Sequence, residues 1–190
     1  MNWKTIFNPF GRFDEKYLLG LGLISLIAII LINQWTSSYF TSIYRIDRME
    51  NFDFQKATIS TIISYVSMIA VLFVLGKILY KKTRIIDIIN TVLISQIPLI
   101  IILPFEKIEY TKVVTKRVIA YQDHPSGTFP ILDFIFMFLT IAIAVGALVY
   151  SIVLFYNGFK TATNIKKWQH VTLFCIVTFL TVILCQIFNK

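Results

Sequence analysis

The chain has 190 residues, of which 57% are hydrophobic and only 15% charged, with a mean hydropathy of +0.75. A water-soluble domain carries roughly 25% charged residues, so this composition excludes a globule with a fully polar surface and makes lipid part of the solvent. The formal charge of +8 sits in short stretches beside apolar runs, a placement that suits anionic headgroups and topology control and argues against a nucleic-acid partner.

The first sixteen residues, MNWKTIFNPFGRFDEK, are too short and too polar to span a bilayer. Trp3, Ile6, Phe7, Phe10 and Phe13 recur at helix-like spacing with Lys4, Arg12 and Lys16 between them, while Pro9 and Gly11 interrupt the pattern. A short interfacial helix followed by a turn is expected there. The first span, about 17–35, has the apolar core LLGLGLISLIAIILI bracketed by Tyr17 and Trp35. It reaches the roughly 20 residues that a bilayer core demands. Asp14 and Glu15 before that core and Gln34-Trp35 after it fit an uncleaved anchor better than a signal peptide.

Four further spans follow at about 57–80, 85–104, 131–156 and 169–188. Only Lys81–Arg84 separate the second and third, so these two form a tight antiparallel hairpin. Hydrocarbon offers no hydrogen bonds to the backbone, so each span must be helical. The expected fold is all-α: a polytopic transmembrane bundle of five spans, forming one domain over 1–190. Residues 34–56 are mixed and aromatic. Residues 105–130 combine the β-branched run TKVVTKRVIAY with the turn signal DHPSG, which predicts an extended segment or small surface hairpin.

Lys and Arg number three, four and three in the N-terminus and the second and fourth connections, ten in all, against eight on the opposite side. The ten lie close to span ends, where positive charge sets orientation. The expected topology has a cytoplasmic N-terminus and an external C-terminus in a bacterial-type inner membrane. Cys175 and Cys185 lie ten residues apart in the last span. About 15 Å of helix separates them, too far for the ~7 Å reach of a disulfide.

Asp87 and Asp133 are the carboxylates near or inside spans. Ionisable groups in a membrane mark ion or proton paths, yet both residues fall within three positions of a span start, where a carboxylate favours a helix N-terminus. The topology places them on opposite sides of the membrane, which argues against a catalytic pair. Asn90 shares a face with Asp87, and Ser95, Gln96 and Pro98 make the third span the most polar. Interhelical hydrogen bonds of about 0.6 kcal/mol each and a kink at Pro98 account for them. Ser60, Ser64 and Ser67 share one face of the second span. Ala142, Gly146, Ala147 and Ser151 form small-residue pairs on the fourth. Such faces let helices approach closely. His124 and His170 have no metal-ligand spacing, and no GxSxG nucleophile, phosphate loop or dinucleotide fingerprint is present. No catalytic residue, cofactor or metal is expected.

With five spans placed, the chain resembles the Yip family, the Rab-interacting five-span membrane proteins and their bacterial relatives. The resemblance rests on the element IFNPF with Asn8 and Pro9, on the tight basic turn after span two, and on the stretch from Val149 to Leu180. In that stretch Tyr156, Gly158, Phe159 and Lys160 occupy family-like positions ahead of a short basic connection. The long N-terminal region of eukaryotic members and its Asp-Leu-Tyr-Gly-Pro motif are not in this sequence, so Rab binding is not carried over. The resemblance implies a non-enzymatic protein acting on the bilayer and through itself or another membrane protein, in membrane organisation or trafficking. An alternative is a small transporter or channel component with Asp87, Asn90, Gln96 and Asp133 along a path. A lipid enzyme using His124 or His170 is a third.

Overall fold

A computed structural model describes residues 3–49, 51–123 and 130–189. Five of its helical segments are long and apolar enough to cross a bilayer: Glu15–Thr36, Phe54–Leu79, Ile85–Phe105, Ile131–Thr163 and Trp168–Phe188. A short helix α1 (Trp3–Phe7) and a 3-10 turn (Pro9–Gly11) precede the first of these, α2 (Glu15–Thr36). The left-handed Ser37 (φ 56°) ends α2 and turns the chain into a two-stranded antiparallel hairpin, β1 (Ser38–Ser42) and β2 (Arg45–Arg48). Helix α3 (Phe54–Leu79) follows, its first turn capped by the Asp53 carboxylate, which accepts from the backbone N–H groups of Gln55 and Lys56.

The third span changes character along its length. It begins as the α-helix α4 (Ile85–Ser95) and continues as two 3-10 turns, Ile97–Ile101 and Leu103–Glu106. Pro98 and Pro104 stand at the start of these turns. Neither has an N–H to give the α-ladder, so the backbone tightens to shorter bonds such as Leu99 N–H to Gln96 O and Ile102 N–H to Leu99 O, both 3.0 Å. This segment is the bundle's centre, with 56% of its most apolar window buried against 17% for the last two spans.

Residues 105–130 depart from the extended segment expected of them. Glu109–Asp123 form a helix, α5. Its β-branched residues disfavour helix only weakly, and tertiary contact with the fourth span decides. Val114 is fully buried, the Tyr110 and Phe136 rings meet edge to face at 4.9 Å, and Asp133 takes bonds from Tyr110 Oη and Arg117 Nη1 at 3.3 and 3.4 Å. Of the turn signal DHPSG, the residues from His124 to Gly127 lie outside the described residues. Helix α6 (Ile131–Thr163) runs seven residues past the span end expected at 156. Asn164, left-handed at φ 49°, ends it before α7 (Trp168–Phe188).

The hairpin is the fold's least expected part. Its β1 edge and turn enter the helical core, where Phe40 and Ile43 are 0% and 1% exposed and the Tyr44 ring meets Phe155 edge to face. Non-helical backbone among membrane helices is tolerated only where protein satisfies it. Helix α3 does so with the serine face. Ser60 Oγ and Ser64 Oγ donate to the Phe40 carbonyl at 3.0 and 3.2 Å, and the Phe40 N–H donates to Thr61 Oγ1 at 3.4 Å. From the end of α7, Asn189 Nδ2 donates to the carbonyls of Thr41 and Ser60, and Gln186 Nε2 donates to Ser42 Oγ. Around this plug Met68, Leu72, Ile88, Val92, Phe159 and Phe174 complete the core.

Candidate functional site

The aromatic-Asn-Pro element and the Tyr156–Lys160 element meet in space. After its first turn α1 leaves carbonyls without helical partners, and α6 supplies donors to them. Tyr150 Oη donates to the Ile6 carbonyl at 2.9 Å and Asn157 Nδ2 to the Phe7 carbonyl at 2.8 Å. Thr161 Oγ1 stands 3.5 Å from Asn8 Oδ1. Pro9 opens the 3-10 turn, where its missing N–H costs nothing. That turn lays Phe10 against Gly158. A Cβ on Gly158 would lie 2.9 Å from Phe10 Cζ and 2.6 Å from Thr91 Oγ1 of α4, so only glycine lets three segments meet there. Phe159 is fully buried and stacks on Phe174 at 4.5 Å, while Lys160 extends over the Tyr156 ring.

Beside this strap the ends of α2 and α4 form a charged cluster. Arg84 Nη2 reaches Glu15 Oε2 at 2.7 Å and Asp87 Oδ1 at 3.1 Å, and Arg84 Nε donates to Asp87 Oδ2 at 3.2 Å. The hydrogen bonds and charge of Asp87, reinforced by the charge of Glu15, push the Arg84 guanidinium pKa further up. One turn along, Asn90 Nδ2 donates to the Glu15 carbonyl at 3.0 Å. Asn90 is only 2% exposed, and its Oδ1 has no hydrogen-bond partner among the described residues. Glu15, Arg84, Asp87 and Asn90 form one wall of a pocket of about 340 Å³, with Gly158 and Thr161 opposite. Phe13 and Leu18 line both this pocket and an apolar groove of about 950 Å³ between α2, α4 and α6.

The four polar residues singled out in the spans therefore separate. Asp87 and Asn90 share the charged pocket. Gln96 is fully buried, its Nε2 donating to Ser95 Oγ at 3.3 Å, where Ser151 Oγ also donates to the Ser95 carbonyl at 2.6 Å. Pairs Thr91–Gly158 and Ser95–Ser151 show that α4 and α6 run antiparallel. Asp133 lies 25 residues from Gly158 in α6, about 37 Å of helix at 1.5 Å per residue, and is engaged by α5 at the far end. His170 sits in the first turn of α7 and His124 lies outside the described residues. Among the described residues, no three His, Cys, Asp or Glu are grouped to hold a metal ion. Tyr150, Asn157 and Glu15 went unremarked as site residues in the sequence. Asn157 carried the one available signal, a polar residue inside the element YNGF.

Five apolar helical spans, the third of them buried and broken by proline, define a polytopic helical membrane protein. The chain belongs to the Yip1 domain family, whose pattern matches residues 3–188. No curated protein and no solved structure matches it.

Proposed function

We propose that this protein is non-enzymatic and acts by holding an amphiphilic partner of the membrane, a lipid or a segment of another membrane protein, in membrane organisation or trafficking. One observation carries the reading: a cleft that is charged at one end and apolar along the rest, crossed by the N-terminal strap. On α2 the order is Glu15, then Leu18 and Leu21. Along the third span, α4 and the 3-10 turn after it, the order is Asp87 and Asn90, then Ile94, Ile97 and Ile101. On α6 it is Thr161 and Gly158, then Leu154, Ala147 and Ile143. Three helices thus present one polarity gradient, the pattern an amphiphile matches group for group. Asp87, Asn90, Asn8, Pro9 and Gly158 belong to this site or to the strap that borders it, while Tyr156 and Phe159 pack towards Phe174 of α7 and Lys160 lies over the Tyr156 ring. Gln96 and Asp133 serve packing and α5 docking.

The whole of 1–190 forms one Yip-like domain on this reading. The strapped end, with the N-terminus and the α3–α4 and α6–α7 turns, faces the cytoplasm, and the C-terminus lies outside. Alkaline-phosphatase fusions at Lys82 and Ile165 should be inactive, and active ones reverse the orientation. A photoreactive residue replacing Ile143, in the groove, tests the function in native membranes, with Val149 outside the groove as control. Crosslinks to a lipid or membrane protein from position 143 in excess of those from 149 support it. Equal labelling from both positions removes it.

A further inference from the structure

We infer that the cleft receives one phospholipid with a primary-amine headgroup, its ammonium in the charged pocket and an acyl chain in the groove. The inference rests on the proposed amphiphile-holding function and names the ligand class. The groove runs along α6 from Ile143 to Leu154, about 16 Å at helical rise, which matches one leaflet of a hydrocarbon core about 30 Å thick. Its lining is almost wholly apolar, and Gly146 leaves it open: a Cβ there would meet nothing within 4 Å.

The headgroup class follows from charge. The pocket's titratable lining is Asp14, Glu15, Asp87 and Arg84, three carboxylates against one guanidinium that Glu15 and Asp87 already engage. A second acceptor is present independently, the Oδ1 of Asn90 on the same wall, buried and without a hydrogen-bond partner among the described residues. An ammonium has three donors and no acceptor, so it suits a wall of acceptors that an anionic headgroup would find repulsive. The phosphate stays at the rim, and Arg12 and Lys16, which adjoin the lining residues Phe13 and Glu15 in the chain, supply positive charge there. A zwitterionic aminophospholipid fits this layout, whereas a glycerol headgroup brings no cation.

The test is native mass spectrometry of the full chain, delipidated and re-equilibrated with equimolar phosphatidylethanolamine and phosphatidylglycerol of identical chains. One ethanolamine lipid should be retained over the glycerol lipid by about tenfold, the ratio that one charge-assisted hydrogen bond supplies. Glu15→Gln and Asn90→Leu should each bring that ratio towards one. Gly146→Trp, whose side chain enters the groove and not the packed bundle, should lower retention of both lipids. Equal retention of the two lipids by the unmodified protein overturns the inference, as does unchanged retention in Gly146→Trp. Oligomers in the same spectra without bound lipid also overturn it while leaving the broader partner-holding reading in place.

Discussion

The Asn157 side-chain amide donates to the Phe7 backbone carbonyl at 2.8 Å across 150 residues of chain. This bond, with its neighbour from Tyr150 to Ile6, ties the first element to the fourth span. Asn157→Leu should therefore free the strap without unfolding the bundle. Hydrogen exchange over residues 5–13 is expected to rise while exchange in α4 stays unchanged. Equal loss of protection in both would show that the strap is integral to the core.

Gly158 is the tightest point of that contact. An alanine there places Cβ 2.6 and 2.8 Å from Thr91 Oγ1 and Cγ2, and overpacking of this kind costs about 1–3 kcal/mol. Thermal melts in detergent should show Gly158→Ala lowering Tm by several degrees. Adding Thr91→Ala removes both atoms and should restore part of the loss, a coupling that double-mutant analysis reads directly.

Glycines 20 and 22 of α2 make an internal control. A Cβ at Gly22 meets Leu93 Cβ at 2.7 Å, whereas one at Gly20 meets nothing within 4 Å. Gly20→Ala is expected to stabilise by about 0.5–1 kcal/mol through lower chain entropy, and Gly22→Ala to destabilise. If both shifted Tm in the same direction, the close approach of α2 to α4 would be wrong.

The hairpin depends on donors from α3. Removing Ser60 or Ser64 alone leaves the Phe40 carbonyl one side-chain partner, while Ser60→Ala with Ser64→Ala leaves none of the two. An unsatisfied buried acceptor costs about 1–3 kcal/mol. The double variant should thus lose more stability than the sum of the singles, measured by thermal or denaturant unfolding in micelles.

Asp133 anchors α5 through Tyr110 and Arg117. Asp133→Asn should loosen that helix locally. Trypsin cleavage after Lys112, Lys116 or Arg117 is expected to accelerate several-fold with little change in global Tm.

Much of this layout is legible in the amino-acid sequence. The apolar runs locate all five spans to within a few residues at most ends, because lipid leaves a span no alternative to a complete internal hydrogen-bond ladder. The principal miss at a span end, the extension of α6 to Thr163, occurs where the helix outgrows the hydrocarbon and hydropathy stops reporting on it. The site was half visible. Asp87 and Asn90 share a helical face by spacing alone, but Glu15 joins them only because α2 packs beside α4. The pairing of IFNPF with YNGFK depends on contacts between positions about 150 residues apart, which no local pattern encodes.

Span number, helical class and the polar character of the third span were thus settled by the sequence itself, through the free energy of putting backbone and charge into hydrocarbon. Tertiary structure alone decided the rest. TKVVTKRVIAY became a helix because α6 offered it a face, and residues 38–48 became a buried hairpin because α3 and α7 offered hydroxyls and amides to its backbone. In both cases local propensity is worth a few tenths of a kcal/mol per residue, less than one satisfied buried carbonyl.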